Sequence, residues 1–368
     1  MPPPHYHPDG GFTDPWAERD RRARRRDGRG AFLRWRFERW RDGIEPAPPA
    51  GALPVVDSEI AYPAASPDEL RVTWVGHATL LVQIGGLNIL TDPIWARRAS
   101  PVTWAGPARL VPAAPALESL PPIHVVLISH DHFDHLDRPT VRRLARLHPD
   151  GRWFTPLGYS TWLQRHGVAH ITELDWWQTV EAGGRRLETG VPNPQPPASN
   201  LRPLAVTALP ARHWTARNPF ITSTRLWATW AVETGDGRRF FFGGDTGYFP
   251  GFAEIGERLG PFDVIALPIG AYEPAWFMQP VHMNPEEAVR AYRELGGRGA
   301  MVGIHWGTFR LADEPVLEPP ARARVAWERV GLPARDLWIH RHGETRVAPL
   351  HRPLSHARRE AEAGGGRR

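Results

Sequence analysis

With 368 residues, 41% of them hydrophobic and 17 of them Trp, the chain can build a large core and still present aromatic surface. It contains no Cys, which excludes disulfides and thiolate metal sites, so any metal must be held by His, Asp or Glu. The net charge is +5, but every basic residue is Arg and none is Lys; this bias accompanies heavy Ala, Pro and Gly usage and argues only weakly for a nucleic-acid partner.

Residues 1–68 are Pro- and Arg-rich and poorly periodic, and read as an arm that lies over the domain or stays partly disordered. Within it Phe32, Leu33, Phe37 and Trp40 recur at helical spacing among Arg34, Arg36, Arg39 and Arg41. Two readings follow for a helix near residues 30–41: it rests on an anionic membrane surface, or it docks on its own protein. No run approaches the ~20 apolar residues that span a bilayer. The basic cluster from Arg21 to Arg26 leads into Asp27-Gly28 instead of an apolar signal segment, so the expected location is cytoplasmic, at most peripheral to a membrane.

The folded domain is expected over residues 69–350, with a mobile polar tail over 351–368. Strands are predicted at Arg71–Val75, Thr79–Ile84 and Leu87–Thr91, the last two joined by a Gly85-Gly86 turn. Asp92-Pro93 ends the third, and a Pro-rich loop over 93–122 leads to the apolar run Val125–Ile128, which reads as a core strand. Asp137 as N-cap and Pro139 in the first turn start a helix reaching about Leu147. Strands Trp153–Pro156 and Ile171–Leu174 flank a short helix over Thr161–His166.

The second half repeats the layout. Strand Leu204–Leu209 runs toward His213, and a hairpin of Arg225–Thr234 and Arg238–Phe242 ends at Asp245. Strand Val264–Pro268, a helix over Pro285–Leu295 capped by Asn284, and strand Ala300–Ile304 ending at His305 follow. A helix over 320–330 and a last strand over 336–347 complete the prediction. Two comparable α/β halves with polar residues at strand ends predict two facing sheets, helices outside, and a site along one shared edge.

The chemistry concentrates in Ser129-His130-Asp131-His132-Phe133-Asp134-His135. In an extended segment His130 and His132 share a face and can converge on one ion, whereas Asp134 and His135, past a turn, can aim at a second. This ligand density favours a binuclear metal site over a solvated loop. Nitrogen and carboxylate donors favour two Zn2+, with Mn2+ or Fe2+ as substitutes. Taken alone, His213 and His305 would read as core histidines.

The segments Trp74-Val75-Gly76-His77-Ala78-Thr79, Leu90-Thr91-Asp92-Pro93-Ile94, Gly243 to Tyr248, Pro268 to Pro274 and Ile304 to Phe309 resemble one family. It is the N-acylphosphatidylethanolamine-hydrolysing phospholipase D branch of the metallo-β-lactamase fold, and the resemblance runs from about Leu70 to Glu344. It implies an αββα sandwich, with His130, His132 and His213 on one zinc, Asp134, His135 and His305 on the other, and Asp245 bridging both. It points to Asp92 as functionally needed and to His282 beside the substrate phosphate; independently of it, Asp92 and His77 both sit at strand ends, where such groups orient a ligand imidazole. Asp92, Asp134, Asp245 and His282 are thus the expected catalytic set. The implied activity is phospholipase D-type hydrolysis of a phospholipid by a hydroxide shared between the ions, in a homodimer.

Asp131 and Phe133 stand where the family resembles Asn and Tyr, and Arg138 and the loop 190–203 also differ; these positions are expected to decide what reaches the metals. The same ligand set serves lactonases and small-molecule phosphodiesterases, which are the alternative activities. A nucleic-acid processor is the weaker reading, because outside the arm the Arg residues are interspersed with Asp and Glu.

Overall fold

The computed structural model describes residues 4–8, 10–17, 28–182, 204–217 and 223–349. The loop 190–203 and the tail from His351 lie outside the described residues. The first sheet comprises β1 (Leu70–Gly76), β2 (Thr79–Ile84), β3 (Leu87–Thr91), β4 (Val125–Leu127), β5 (Arg152–Pro156) and β6 (His170–Leu174). The second comprises β7 (Thr179–Ala182), β8 (Leu204–Leu209), β9 (Thr229–Thr234), β10 (Arg239–Phe242), β11 (Phe262–Pro268), β12 (Gly297–Ile304) and β13 (Leu337–Trp338). Strand β14 (Thr345–Val347) returns to the first sheet. The orders are β14-β1-β2-β3-β4-β5-β6 and β13-β12-β11-β10-β9-β8-β7. Each sheet is mixed, antiparallel on one side and parallel across β3 to β6 or β10 to β13.

Period-two alternation explains why the strands read as unbroken apolar runs. Leu80, Val82, Ile89, Val125 and Leu127 point into the space between the sheets, where they join Trp230, Phe241, Ile265 and Val302 in the main core. Their neighbours Leu81, Leu90, Val126 and Ile128 point outward and are covered by Val141, Leu144, Tyr159 and Leu163. Both faces are therefore buried, as sheets sandwiched by helices require.

Seven α-helices lie among the described residues: α1 (Gly28–Asp42), α2 (Arg138–Leu147), α3 (Ser160–Gln164), α4 (Gly251–Leu259), α5 (Ala275–Met278), α6 (Pro285–Glu294) and α7 (Glu318–Arg329). Asp137 caps α2 by accepting from the Thr140 amide, and Asn284 and Glu287 form a reciprocal capping box on α6. The composition of α4 concealed it, because Pro250-Gly251 and Gly256 interrupt its helical pattern.

Two predicted strands are corrected. Residues 225–228 do not extend β9: the Leu226 amide donates to Leu157 O and the Ala228 amide to Ser129 O, so these donors brace loops of the opposite sheet. Residues 336–347 are not one strand. Leu337–Trp338 pairs with β12, the chain then crosses between sheets, and Thr345–Val347 pairs with β1. Buried His340 and His342 mark the crossing.

Helix α1 docks on the domain through one face. Trp35 is 8% exposed and packs with Ala271, Met278 and Ala312; its Nε1 donates to Asp313 Oδ2 at 2.5 Å, and Arg39 pairs with the same carboxylate at 3.1 Å. The opposite face leaves Leu33 68%, Phe37 57% and Trp40 79% exposed. One face of the helix thus docks on the protein and the other is exposed.

Candidate metal centre

The site forms where β1, β3, β4, β8, β10 and β12 end, the edge at which α/β sheets place ligands. Strand β4 delivers His130, and the turn after it brings His132, Asp134 and His135 round to the same point. His213 follows β8, Asp245 follows β10, and His305 follows β12 with a left-handed backbone (φ 62°). All are buried except His132 and Asp134, which are half-buried at the mouth.

The groups separate into two clusters joined by one carboxylate. In the first, His132 Nδ1 lies 2.9 Å from His130 Nε2 and 3.2 Å from His213 Nε2. In the second, Asp134 Oδ2 lies 3.2 Å from His135 Nε2 and 3.5 Å from His305 Nε2. Asp245 reaches both: Oδ2 is 3.2 Å from His135 Nε2, 3.9 Å from His130 Nε2 and 4.0 Å from His213 Nε2, while Oδ1 is 3.1 Å from His305 Nε2. Ligands ~2.0–2.1 Å from a tetrahedral zinc stand about 3.3 Å from one another, so these separations suit a shared cation. His135 Nε2, His305 Nε2 and Asp245 Oδ1 are buried and find no hydrogen-bond partner among the described residues. Buried polar atoms are rarely left so, and a bound cation would supply the missing partner.

The remaining ring nitrogens fix the tautomers. His135 Nδ1 donates to Asp92 Oδ2 at 2.7 Å, His213 Nδ1 to Val281 O at 3.0 Å, and His130 Nδ1 to Ser129 Oγ at 2.9 Å. Ser129 in turn donates its amide and hydroxyl to Asp92 at 2.7 and 2.5 Å. Each of these imidazoles thereby turns a bare Nε2 inward. Asp92 stands behind His135 rather than facing the two ligand clusters, and it holds that ring. Ser129 opens the ligand-rich stretch, but its place beside His130 at the end of a core strand does not by itself give it this role.

Electrostatics separate the clusters. Burial pushes His130 and His213 well below the usual histidine range, and His132 downward, so the first cluster is neutral. Burial acts the same way on His135 and His305, but Asp245 and Asp134 outweigh it, holding His135 well above the usual range and His305 at about 9. Burial alone would raise Asp134 and Asp245; His135 foremost, with His305, keeps both well below the carboxylate range. Without metal the second cluster stores protons that a cation would displace.

His282 lies just before α6 with Nδ1 3.9 Å from Asp245 Oδ2, and its ring is 5.3 Å from that of His213 and 5.5 Å from that of His305. It lines the mouth without belonging to either three-ligand set. Trp214, 40% exposed, sets its ring 4.6 Å from that of His132 and gives the mouth an aromatic wall that the sequence reading missed. His77 contacts a carboxylate, Asp134 Oδ2 at 2.8 Å, instead of the expected imidazole.

Asp131 is buried away from the entrance, and Phe133 is half-buried against an arginine. Asp131 is 2% exposed and pairs with Arg225 at 2.7 Å, while Phe133 carries the Arg217 guanidinium 4.4 Å above its ring. Arg217 also donates to Asp131 O and Leu136 O, so the two departures from the family belong to a brace that holds the ligand loop in shape.

Ligands of this kind at the ends of strands in two facing sheets define a metal-dependent hydrolase of the metallo-β-lactamase fold. The chain belongs to the beta-lactamase superfamily, whose domain matches residues 87–306. It is 42% identical over 257 residues to N-acyl-phosphatidylethanolamine-hydrolyzing phospholipase D 1 of Caenorhabditis elegans, covering 68% of this chain and 67% of that one. An uncharacterised protein of Mycobacterium tuberculosis is 41% identical over 310 residues, covering 82% of this chain and 76% of its own. Among solved structures, a metallo hydrolase of the archaeon Ignicoccus hospitalis shares the fold with a TM-score of 0.53 at 19% identity, covering 77% of this chain and all of that one.

Proposed function

We propose that this chain is a zinc-dependent phosphodiester hydrolase of phospholipase D type, acting on N-acylphosphatidylethanolamine-like phospholipids to release a phosphatidic acid and a head-group alcohol. The observation that carries the reading is Asp245, whose two oxygens reach both ligand clusters; the 42% identity to a phospholipase D of that specificity supports the substrate class. His130, His132 and His213 would hold one ion, Asp134, His135 and His305 the other, and Asp245 both. Five imidazoles in the two terminal sets favour zinc over manganese or iron. Bound there, the ions supply a water of pKa ~7 and offset charge on the phosphoryl oxygens.

The chain's own residues do the rest. Asp92 and Ser129 keep His135 and His130 in one tautomer. His282, its pKa pushed down to about 4 chiefly by burial, is neutral at pH 7; it offers an N–H to a phosphate oxygen rather than a proton to the leaving alcohol, which solvent supplies. Trp214 gives an apolar side to a mouth that an acyl chain must pass.

The test is a panel of N-acylphosphatidylethanolamine in mixed micelles, a soluble phosphodiester, a lactone and an RNA, each with and without chelator. Hydrolysis of the micellar lipid, lost to chelator and restored by Zn2+, is the expected result. Turnover of the lactone alone would overturn the substrate assignment.

A peripheral membrane contact through α1 belongs to the same proposal. Among the described residues no helix is long and apolar enough to cross a membrane. The docked helix instead holds Leu33, Phe37 and Trp40 outward beside Arg36, and is anchored to Asp313, eight residues beyond the ligand His305. Replacing the three apolar residues by Ser should weaken sedimentation with anionic vesicles by at least ~10-fold, because each removes an insertion of roughly 1.5 kcal/mol or more. Turnover of a soluble phosphodiester should stay constant, and unchanged sedimentation would refute the contact. The homodimer implied by the resemblance is read by light scattering of the same preparations.

A further inference from the structure

We propose that His77 is a positioning residue of the metal centre, holding Asp134 through its side chain and His305 through its backbone. The proposal rests on the metal-binding reading above. His77 Nε2–H donates to Asp134 Oδ2 at 2.8 Å, and this oxygen is the one that faces His135 Nε2 and His305 Nε2. Asp134 sits at the mouth with its side chain 14% exposed, where an untethered carboxylate would swing toward water. The His77 ring is 1% exposed and wedged between the His305 ring at 4.1 Å, the His135 ring at 5.0 Å and the edge of Phe309 at 5.3 Å.

The backbone of His77 is as constrained as its ring. Its φ is 57°, a left-handed conformation that a residue with a side chain keeps only where the surroundings impose it. The His77 amide donates to Thr308 Oγ1 at 2.6 Å, and Thr308 is itself hydrogen-bonded to His342 Nε2 at 3.0 Å. The His77 carbonyl accepts from Trp74 Nε1 at 2.9 Å and from the amide of His305 at 3.1 Å. The preceding Gly76 has a positive φ of 132°, and a Cβ there would crowd Arg109, His342 and Thr308 at 3.1–3.2 Å. One residue in a fixed conformation thus locates two ligands of the same ion.

Direct ligation by His77 is the competing role, since its ring joins Asp134, His135 and His305 in one group of potential ligands. Geometry argues against it. Asp134, His135, His305 and Asp245 already make four ligands, a full tetrahedral set, and the His77 ring nitrogen lies within hydrogen-bond distance of Asp134 Oδ2 at 2.8 Å.

The experiment compares wild type with His77→Ala and His77→Gln in the full chain. Zn2+ affinity is read by chelator competition, site geometry by the visible absorption of the Co2+-loaded protein, and folding by thermal unfolding of the metal-free forms. Wild type should bind two ions. His77→Ala should bind one of them about 10- to 100-fold more weakly and alter the Co2+ absorption of that site, leaving the other ion unaffected. His77→Gln, whose amide N–H reaches Asp134, should restore both readouts while melting, metal-free, with His77→Ala. Equal affinity for both ions in His77→Ala would overturn the proposal, as would loss of one ion in both variants, the mark of a direct ligand. A wild-type chain that binds no metal would sink the metal-centre reading and this inference with it.

Discussion

Replacing Asp245 by Ala is expected to lower kcat by at least ~10³-fold and to cut bound metal from two ions per chain to one or none, a loss of roughly 4 kcal/mol or more in transition-state stabilisation. Asp245 lies within 4.0 Å of ligands in both clusters, and its oxygens are the ones that His135 and His305 face. Its charge is permanent at working pH, because His135 and His305 hold it well below the carboxylate range in spite of burial. Without it the imidazoles remain but nothing neutralises two cations held close together, and the remaining ion loses a ligand and its neighbour. Asp245→Asn separates the effects: it keeps the shape and one oxygen acceptor but removes the charge, and should retain more metal than Ala with little more turnover. Zinc content by atomic emission and turnover of the micellar lipid read both. Full activity with two ions retained in Asp245→Ala would refute the bridging role.

How much of this was legible in the sequence depended on distance along the chain. His130, His132, Asp134 and His135 are contiguous, so their convergence follows from one strand end and one turn. His213, Asp245 and His305 could be placed because each ends a recognisable strand of the second sheet, although what brings Asp245 within 3.9 Å of His130 and His135 is the packing of that sheet on the first. Contacts between far-separated residues were invisible. Phe133 and Asp131 looked like specificity positions because the residues that occupy them, Arg217 and Arg225, lie more than 80 positions downstream. The carboxylate partner of His77 is 57 residues away, and local pattern offered only the generic expectation that it orients an imidazole. The final strand was read as one because apolar alternation continues through a crossing between sheets that depends on where β1 and β12 present free edges. The two readings of α1 could not be ranked from its residues, since a helix with Trp35 on one face and Trp40 on the other serves both.

That crossing carries the second large expectation. Buried His340 and His342 are each pushed down to about 3, His340 by burial and the nearby Arg346, His342 by burial and Arg109. Both are neutral in the fold, whereas the unfolded chain protonates them near pH 6.5. For such a group the unfolded state binds more protons below 6.5, so stability is complete above that pH and declines as pH falls toward 3. From pH 8 to pH 5 the decline is about 2 kcal/mol per histidine, or about 4 kcal/mol for the pair, at 1.36 kcal/mol per pH unit. In metal-free protein His305 acts with the opposite sign. Its value of about 9 gives stability that is complete below 6.5 and lost as pH rises through 9, and His135, raised further, behaves likewise. The net curve therefore hides the effect, and a difference measurement exposes it. His340→Leu and His342→Leu should each show urea unfolding free energies that fall about 2 kcal/mol less than wild type between pH 8 and pH 5, and the double variant about 4 kcal/mol less. His340→Leu replaces a buried imidazole that packs edge-on to Trp338 and whose ring nitrogens have no well-formed hydrogen bond among the described residues, so it should cost less at pH 8 than His342→Leu. His342→Leu also removes the partner of Thr308 and should cost more there, without altering its contribution to the slope. Wild-type and variant curves that run parallel from pH 8 to pH 5 would show that the two rings take up protons in the fold, and that the crossing between the sheets is open to water.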